Sequence, residues 1–348
     1  MTLRLVFDCG AMIGPGKASL LEGIRDRGSI AAAVVGRLLA EGATVVATTS
    51  SLDSARLEFF KALYREHAIT GATLWVVPAN MASFADVDSL AEWLGAEQTE
   101  TKAGTTTVTK PALTPTLLFP FAAGRVAGDA TDAGGRAEVE MRILLWSVER
   151  LIGVLSSAIR DRDLDATLHV VLPGSPNRGM FGGDGAYGEA KAALDALVTK
   201  WGAERSWADR VTLAHAIIGW VRGTGLMGGN DPLVDAVEAA GVRTWSPGDM
   251  ATALLSTCTP EARAEARTAP VRADFTGGLG DAQLDMKALA AEVTMPSSQA
   301  PSTEGTVAAL APSPAQLDRV DVPAWPSVPS RPEDLVVVVG AGELGPYG

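Results

Sequence analysis

Short apolar runs alternate along this chain with longer stretches of helical spacing, and that alternation constrains its fold more than any other feature. Chains built this way bring their strands together in parallel, with helices covering both faces of the sheet. Ile30, Val34, Val35 and Leu38 place a helix over Ser29 to Leu39, ended at Gly42. Ala43 to Ala47 is a strand, and Leu52 to His67 a helix carried by Leu52, Leu57, Phe60 and Leu63. Leu74 to Val77, Thr116 to Phe119, Leu168 to Leu172 and Val211 to Ala216 are further strands. Helices are expected over Val87 to Leu94, Ala137 to Ile159, from Tyr187, and near Pro232 to Ala240 and Pro247 to Leu255. The fold class read from this order is α/β, a Rossmann-like doubly wound parallel sheet.

Two stretches interrupt the pattern. Gly95 to Leu113 is rich in Thr, Glu and Lys, and Thr105-Thr106-Thr107-Val108 favours strand, so a surface insertion in hairpin form is expected near 95–113. From Met295 to Pro332 the composition turns to Pro, Ser and Ala, a linker signature. Leu335 to Gly340 then reads as a fresh core strand. The expected organisation is a domain over 1–294, a linker over 295–332 and the start of a following domain over 333–348. A chain cut from a longer polypeptide explains this most economically; a strand added to the first domain's own sheet is the alternative.

The chemistry concentrates at Tyr187 and Lys191. Residues four apart share one helix face, so the ammonium is expected beside the phenol, drawing down a pKa that is ordinarily about 10. Ser175 follows the apolar run His169 to Leu172, twelve residues before the tyrosine. A phenol that gives a proton to a ketone oxygen, with a serine hydroxyl holding that oxygen, suits carbonyl reduction by a nicotinamide cofactor. The bland alternative is a chance pair with Lys191 solvated. Of the three tyrosines, neither Tyr64 nor Tyr347 has a lysine four residues on.

The bulk numbers bound what else the chain can do. A net charge of −12 argues against nucleic acid and anionic membrane as partners. Two cysteines and three widely separated histidines give no disulfide framework and no metal site. No apolar run reaches the roughly 18 residues of a membrane span, and no signal peptide is legible, so the cytoplasm is the expected compartment.

A dinucleotide site needs a first strand, a glycine turn and a helix N-terminus facing the pyrophosphate. The run Gly23-Ile24-Arg25-Asp26-Arg27-Gly28-Ser29-Ile30 enters the first long helix. Gly28 and Ser29 stand where backbone N–H groups meet phosphate, and Arg27 lies beside them. Two registers remain upstream: Ala18 to Leu21 with Gly23 as the turn glycine, or Leu3 to Phe7 with Cys9-Gly10-Ala11 as the turn. The second is preferred because Leu3 to Phe7 is the better strand. Gly14-Pro15-Gly16-Lys17 lacks the further glycine and the Ser or Thr of a nucleotide-hydrolase loop. After the second strand, Thr48, Thr49 and Ser50 offer hydroxyls where an acidic residue would select NAD, which favours NADP(H). Capping of the helix at Leu52 is the alternative role for this stretch.

The run Ser175-Pro176-Asn177-Arg178-Gly179-Met180-Phe181-Gly182-Gly183-Asp184-Gly185-Ala186-Tyr187, with Lys191, resembles the β-ketoacyl reductase domain of multifunctional type I fatty acid synthases of the fungal and mycobacterial kind, within the short-chain dehydrogenase/reductase superfamily. Gly28-Ser29-Ile30, Ala47 to Ser50, Val77-Pro78-Ala79-Asn80, Leu118 to Ala123 and His215 to Gly228 extend the likeness, which covers roughly Arg27 to Glu292. Leu335 to Gly348 looks like the opening of the ketoacyl synthase domain that follows in such synthases.

The resemblance implies NADPH-dependent reduction of a 3-oxoacyl group to the 3-hydroxyacyl group. The substrate would arrive as 3-oxoacyl-phosphopantetheine on an acyl carrier domain, with adjacent synthase domains in a large homo-oligomer. It implies Tyr187 as proton donor, Lys191 as its tuner and holder of the nicotinamide ribose, and Ser175 on the ketone. Thr48, Thr49 and Ser50 would border the adenosine phosphate. Asn80 and Met81 would lie near the adenine, and Phe121, Ala122 and Ala123 along the cofactor cleft. Gly219, Arg222 and Thr224 would lie near the nicotinamide. Fungal relatives carry an asparagine of a water-linked proton relay where alignment on Arg142-Ile143-Leu144-Leu145 puts Ser147. The stretch before Gly28 is longer here than the family pattern. A structural module that keeps the reductase fold but binds cofactor poorly is therefore the second reading, and an enoyl reductase the third.

Overall fold

The computed structural model of the chain describes residues 3–7, 28–124, 126–162, 164–179, 182–225, 228–282 and 284. The chain divides into two units, Met1–Thr294 and Met295–Gly348, and the described residues all belong to the first. The expected linker over 295–332 and the expected further domain over 333–348 lie outside the described residues, as do the turn at Gly10 and the residues Gly23 and Arg27.

Strand β1 is Leu3–Phe7, the run preferred on sequence grounds. Strands β2 (Thr44–Thr49) and β3 (Thr73–Pro78) follow. Next come the pair β4 (Gln98–Lys102) and β5 (Thr105–Lys110), and then β6 (Pro115–Phe119). Strands β7 (Leu168–Gly174), β8 (Val211–Ile218) and β9 (Val271–Phe275) complete the series. Seven of these build one sheet in the order β3-β2-β1-β6-β7-β8-β9, and every neighbouring pair is parallel. The order reverses between β1 and β6, so a crevice opens past the carboxyl ends of these strands, where doubly wound folds bind ligands. The antiparallel pair β4-β5 stands outside the sheet as the expected hairpin, its residues mostly exposed.

The helices are α1 (Ile30–Ala40), α2 (Ser54–His67), α3 (Phe84–Gly95), α4 (Gly135–Met141), α5 (Ser147–Asp161) and α6 (Tyr187–Ala203). After them come α7 (Arg205–Ala208), α8 (Val234–Ala239), α9 (Pro247–Ser256) and α10 (Pro260–Glu265). Helices α3, α5 and α6 bury Val87, Leu90, Leu151, Leu155, Leu194 and Val198 against one face. Helices α1 and α9 bury Val34, Leu38, Met250 and Leu254 against the other. The sheet is thus covered on both sides, as its apolar strands require.

Three departures from the sequence reading have plain causes. Strand β9 was not expected: Val271–Phe275 carries Arg272 and Asp274 and is only alternately covered, as befits a sheet edge. The stretch near Pro232 begins as a 3₁₀ turn, Gly228–Leu233, before α8. The long helix over Ala137 to Ile159 is interrupted at Arg142–Trp146 by a π turn, where Ser147 N–H donates to Arg142 C=O. Such turns gather at functional sites.

Candidate active site

Strand β7 ends at Gly174, where a Cβ would stand 2.6 Å from His215 Nε2, and hands the chain directly to Ser175. Ser175 is buried; its Oγ accepts the Asn177 N–H at 3.1 Å and hydrogen-bonds the Tyr187 phenol. Tyr187 opens α6, and Lys191 lies one turn later on the same face. The three residues singled out on sequence grounds therefore converge at the carboxyl end of β7.

The electrostatics correct the sequence reading in one respect. The Lys191 ammonium lies over the Tyr187 ring, 5.4 Å from its centroid, and donates to Pro173 C=O at 2.6 Å. The phenol, however, is not acidified. Burial pushes its pKa above the ordinary value, the Ser175 hydrogen bond draws it partly back, and the Asp184 carboxylate pushes it up. Four-residue spacing brings the ammonium to the ring, but burial decides the state of the phenol.

The loop before Tyr187 is held from several sides. Asn177 Nδ2 donates to the buried Asp184 Oδ2 at 3.1 Å, and Gly179 N–H donates to Asn177 Oδ1 at 3.1 Å. Gly185 N–H donates to Gly128 C=O at 2.9 Å, and Glu140 Oε2 accepts the Ala186 N–H at 2.7 Å. Behind the loop, Arg178 pairs with Asp195, whose Oδ1 is 3.4 Å from Nδ1 of buried His215. Burial, as the largest influence, holds His215 below the usual imidazole range. The sequence reading missed Glu140 and Asn177; the one available signal was Ala186, a residue unable to cap the helix it precedes.

Most of the expected cofactor residues are described, at α1, at the ends of β2, β3 and β6, and after β8. Ser29 Oγ accepts the Ala32 N–H at 3.0 Å and so starts α1, whose first turn has no acidic side chain. The positive end of this helix lies at Gly28, Ser29 and Ile30, where negative charge is favoured. Thr48 and Thr49 are buried at the end of β2 and Ser50 is exposed. Thr49 Oγ1 donates to Ser51 C=O at 3.0 Å, and Asp53, not this run, caps the next helix through the Arg56 N–H at 2.8 Å. Asn80 is exposed, with Oδ1 accepting the Ala82 N–H at 2.9 Å.

Phe121 is buried against Phe119, and Ala122 and Ala123 are half-buried. Met81, Pro120, Ala122 and Ser147 line a cavity of about 10 Å³. Ser147 Oγ is buried with no hydrogen-bond partner among the described residues. Gly219 admits no side chain, because a Cβ would collide with the Thr276 backbone. Arg222 Nη1 lies 3.6 Å from Glu238 Oε1, and Thr224 Oγ1 donates to Val221 C=O at 3.1 Å. Among the described residues no cluster of His, Cys, Asp and Glu suits a metal ion, and no helix is long and apolar enough to cross a membrane.

No family model matches the chain. Curated relatives do. It is 34% identical over 365 aligned positions to fatty acid synthase apf5 of Gibberella fujikuroi, covering 96% of this chain and 22% of that protein. It is 38% identical over 255 positions to fatty acid synthase subunit alpha of Saccharomyces cerevisiae, covering 73% of this chain and 13% of that one. The chain thus spans less than a quarter of the length of these relatives. Among solved structures it is similar to a short chain dehydrogenase from Bacillus anthracis (TM-score 0.55, 15% identity, 80% of this chain and 96% of that one). It is also similar to 4-hydroxyisoleucine dehydrogenase complexed with NADH (TM-score 0.58, 14% identity, 80% and 98%). These likenesses show the short-chain dehydrogenase fold.

Proposed function

Over the span it covers, the chain belongs to the fatty acid synthase alpha-subunit family, in the region with the short-chain dehydrogenase fold, and from that premise we propose that it is the 3-oxoacyl reductase of such a synthase. The observation that carries this reading is the convergence of Ser175, Tyr187 and Lys191 where β7 gives way to α6. The substrate is a 3-oxoacyl thioester on the phosphopantetheine of a carrier domain, the product its 3-hydroxyacyl counterpart, and the setting a large cytoplasmic assembly.

The residues present fit NADPH. The acid-free N-terminus of α1 accepts the pyrophosphate, with Gly28 and Ser29 against it. Thr48, Thr49 and Ser50 put no carboxylate where a 2′-phosphate would lie, and Met81 and Ala122, which line one cavity, would border the cofactor cleft with Phe121 and Ala123. Gly219, Arg222 and Thr224 would border the nicotinamide. Reduced nicotinamide, when bound, supplies the hydride to the substrate's C3. Ser175 Oγ and Tyr187 Oη both donate to the ketone oxygen, and the phenol gives up its proton as that oxygen takes the C=O electron pair. The raised phenol pKa keeps the donor protonated at neutral pH. Lys191, over the ring, stabilises the phenolate as it forms and would hold the ribose hydroxyls of a bound cofactor. Ser147, whose hydroxyl has no hydrogen-bond partner among the described residues, would hold a water that returns the proton.

Steady-state reduction of a 3-oxoacyl thioester, followed by NADPH absorbance, tests the reading. Tyr187→Phe should lower turnover by about a hundredfold or more while NADPH binding, titrated by fluorescence, stays near wild type; comparable turnover in the variant defeats the assignment. A second reading, a non-catalytic structural module, draws on residues 8–27, which separate β1 from Gly28. Absence of NADPH binding at millimolar concentration would favour it.

A further inference from the structure

Helix α6 carries Tyr187 yet begins without a capping side chain of its own. Ser29, Asp53, Ser83, Ser246 and Thr259 each accept a backbone N–H at the start of their helices. The corresponding residue of α6 is Ala186, which has no side-chain oxygen to offer. The first N–H groups of a helix need partners from outside it. Here Glu140, on α4 and 46 residues earlier in the chain, supplies one: its Oε2 accepts the Ala186 N–H at 2.7 Å. The carboxylate also lies at the positive end of the helix, where negative charge is favoured.

The surroundings leave this carboxylate little freedom. Glu140 is 4% exposed. A Cβ on Gly185, whose φ is +58°, would stand 2.6 Å from Glu140 Oε2 and 2.8 Å from Ala127 C=O, so the loop closes over the carboxylate only with glycine there. Arg136 Nε is 3.6 Å from Oε1, which has no hydrogen-bond partner among the described residues. Burial, as the largest influence, raises the carboxyl pKa; the Ala186 N–H and Arg136 lower it, while Asp184 and Glu189 raise it further. A buried acid with one oxygen unsatisfied costs stability. Its one evident return is the fixed start of the helix that presents the phenol.

We propose that Glu140 is a positioning residue for Tyr187: by holding the Ala186 N–H it sets the first turn of α6 and hence the direction from which the phenol reaches a ketone oxygen. The inference rests on the reductase reading. Glu140→Ala and Glu140→Gln in the full chain test it, with kcat and KM for a 3-oxoacyl thioester, NADPH affinity by fluorescence, and amide exchange at Ala186. A misplacement on the ångström scale costs up to about a hundredfold in rate. Glu140→Ala is therefore expected to lose about tenfold or more in kcat, with KM and NADPH affinity near wild type and faster exchange at Ala186. The amide oxygen of Glu140→Gln can accept the same N–H and should restore both. A wild-type kcat in Glu140→Ala overturns the proposal. So does a joint loss of kcat, KM and NADPH binding that glutamine does not restore, since that marks a general prop. A wild type that reduces no ketone removes the reductase reading itself, whereas unchanged Ala186 exchange in an active chain removes the role of Glu140 alone.

Discussion

At the scale of single residues, what matters is how far side-chain placement departs from what spacing implies. Tyr187, Lys191 and Ser175 were legible because four-residue spacing and a strand end are local properties of sequence. The state of the phenol was not, because it depends on burial, on the Ser175 hydroxyl and on Asp184. Asp184 acts on the phenol as a fixed negative charge in a buried setting, so its removal should make ionisation easier. Asp184→Asn is expected to lower the Tyr187 pKa, and an ultraviolet absorbance titration with Tyr64 and Tyr347 replaced by Phe isolates that phenol. An unchanged or raised pKa would mean that Asp184 acts on the loop alone, through Asn177. On the proposed reading the sign has a kinetic consequence: the wild-type donor stays protonated past the ordinary range, so the alkaline limb of kcat lies higher in wild type than in Asp184→Asn.

At the scale of elements, the strands and helices with strong apolar patterning were readable, and those that depend on partners were not. Strand β9, the short α7 and α10, and the π turn at Arg142–Trp146 carry no distinguishing periodicity; one extra residue in a turn leaves the stripe of Ile143, Leu144 and Leu145 looking helical. The hairpin was legible from its threonines, but not the way Lys110 ties it down by donating to Ala96 C=O at 2.5 Å and Pro111 C=O at 3.1 Å. The β7-β8 pairing carries a testable consequence of the same kind. His169 faces Thr212 across the ladder, with Nδ1 2.8 Å from the threonine hydroxyl. Burial, the leading cause, pushes its pKa down to about 4 from the ordinary 6.5. The folded state therefore favours the neutral ring. This stabilisation is complete above the unfolded pKa and is lost as pH falls from about 6.5 towards 4. The depression corresponds to about 3 kcal/mol. Urea unfolding at pH 7 and pH 4.5 should show a drop in stability that His169→Gln reduces by a large part of that amount; equal drops in both chains would show that carboxylates alone set the acid limit.

At the scale of the whole molecule, the sheet order and the chain's charge pull in different directions. Reversal of strand order beside β1 puts the switch point where doubly wound folds bind anionic dinucleotides, while a net charge of −12 opposes any anion at long range. Local groups must then outweigh the global field. Beyond about 10 Å that field is screened at physiological salt, whereas a helix N-terminus acts within its first turn. The second-strand end offers Thr48, Thr49 and Ser50 with no carboxylate to repel a 2′-phosphate, so the extra phosphate of NADPH should be accepted where NADH gains nothing. A ligand present at a hundred times its Kd stabilises the folded chain by about 2.7 kcal/mol. Thermal unfolding of the full chain in a series of NADPH and NADH concentrations measures both affinities without any turnover. NADPH is expected to raise the melting temperature at concentrations about tenfold or more below those NADH needs, and the gap should narrow as salt screens the phosphate contacts. Equal shifts from the two nucleotides would mean that the hydroxyls after β2 do not read the 2′-position, and the preference for NADPH would then have to be given up while the reductase chemistry at Tyr187 stood.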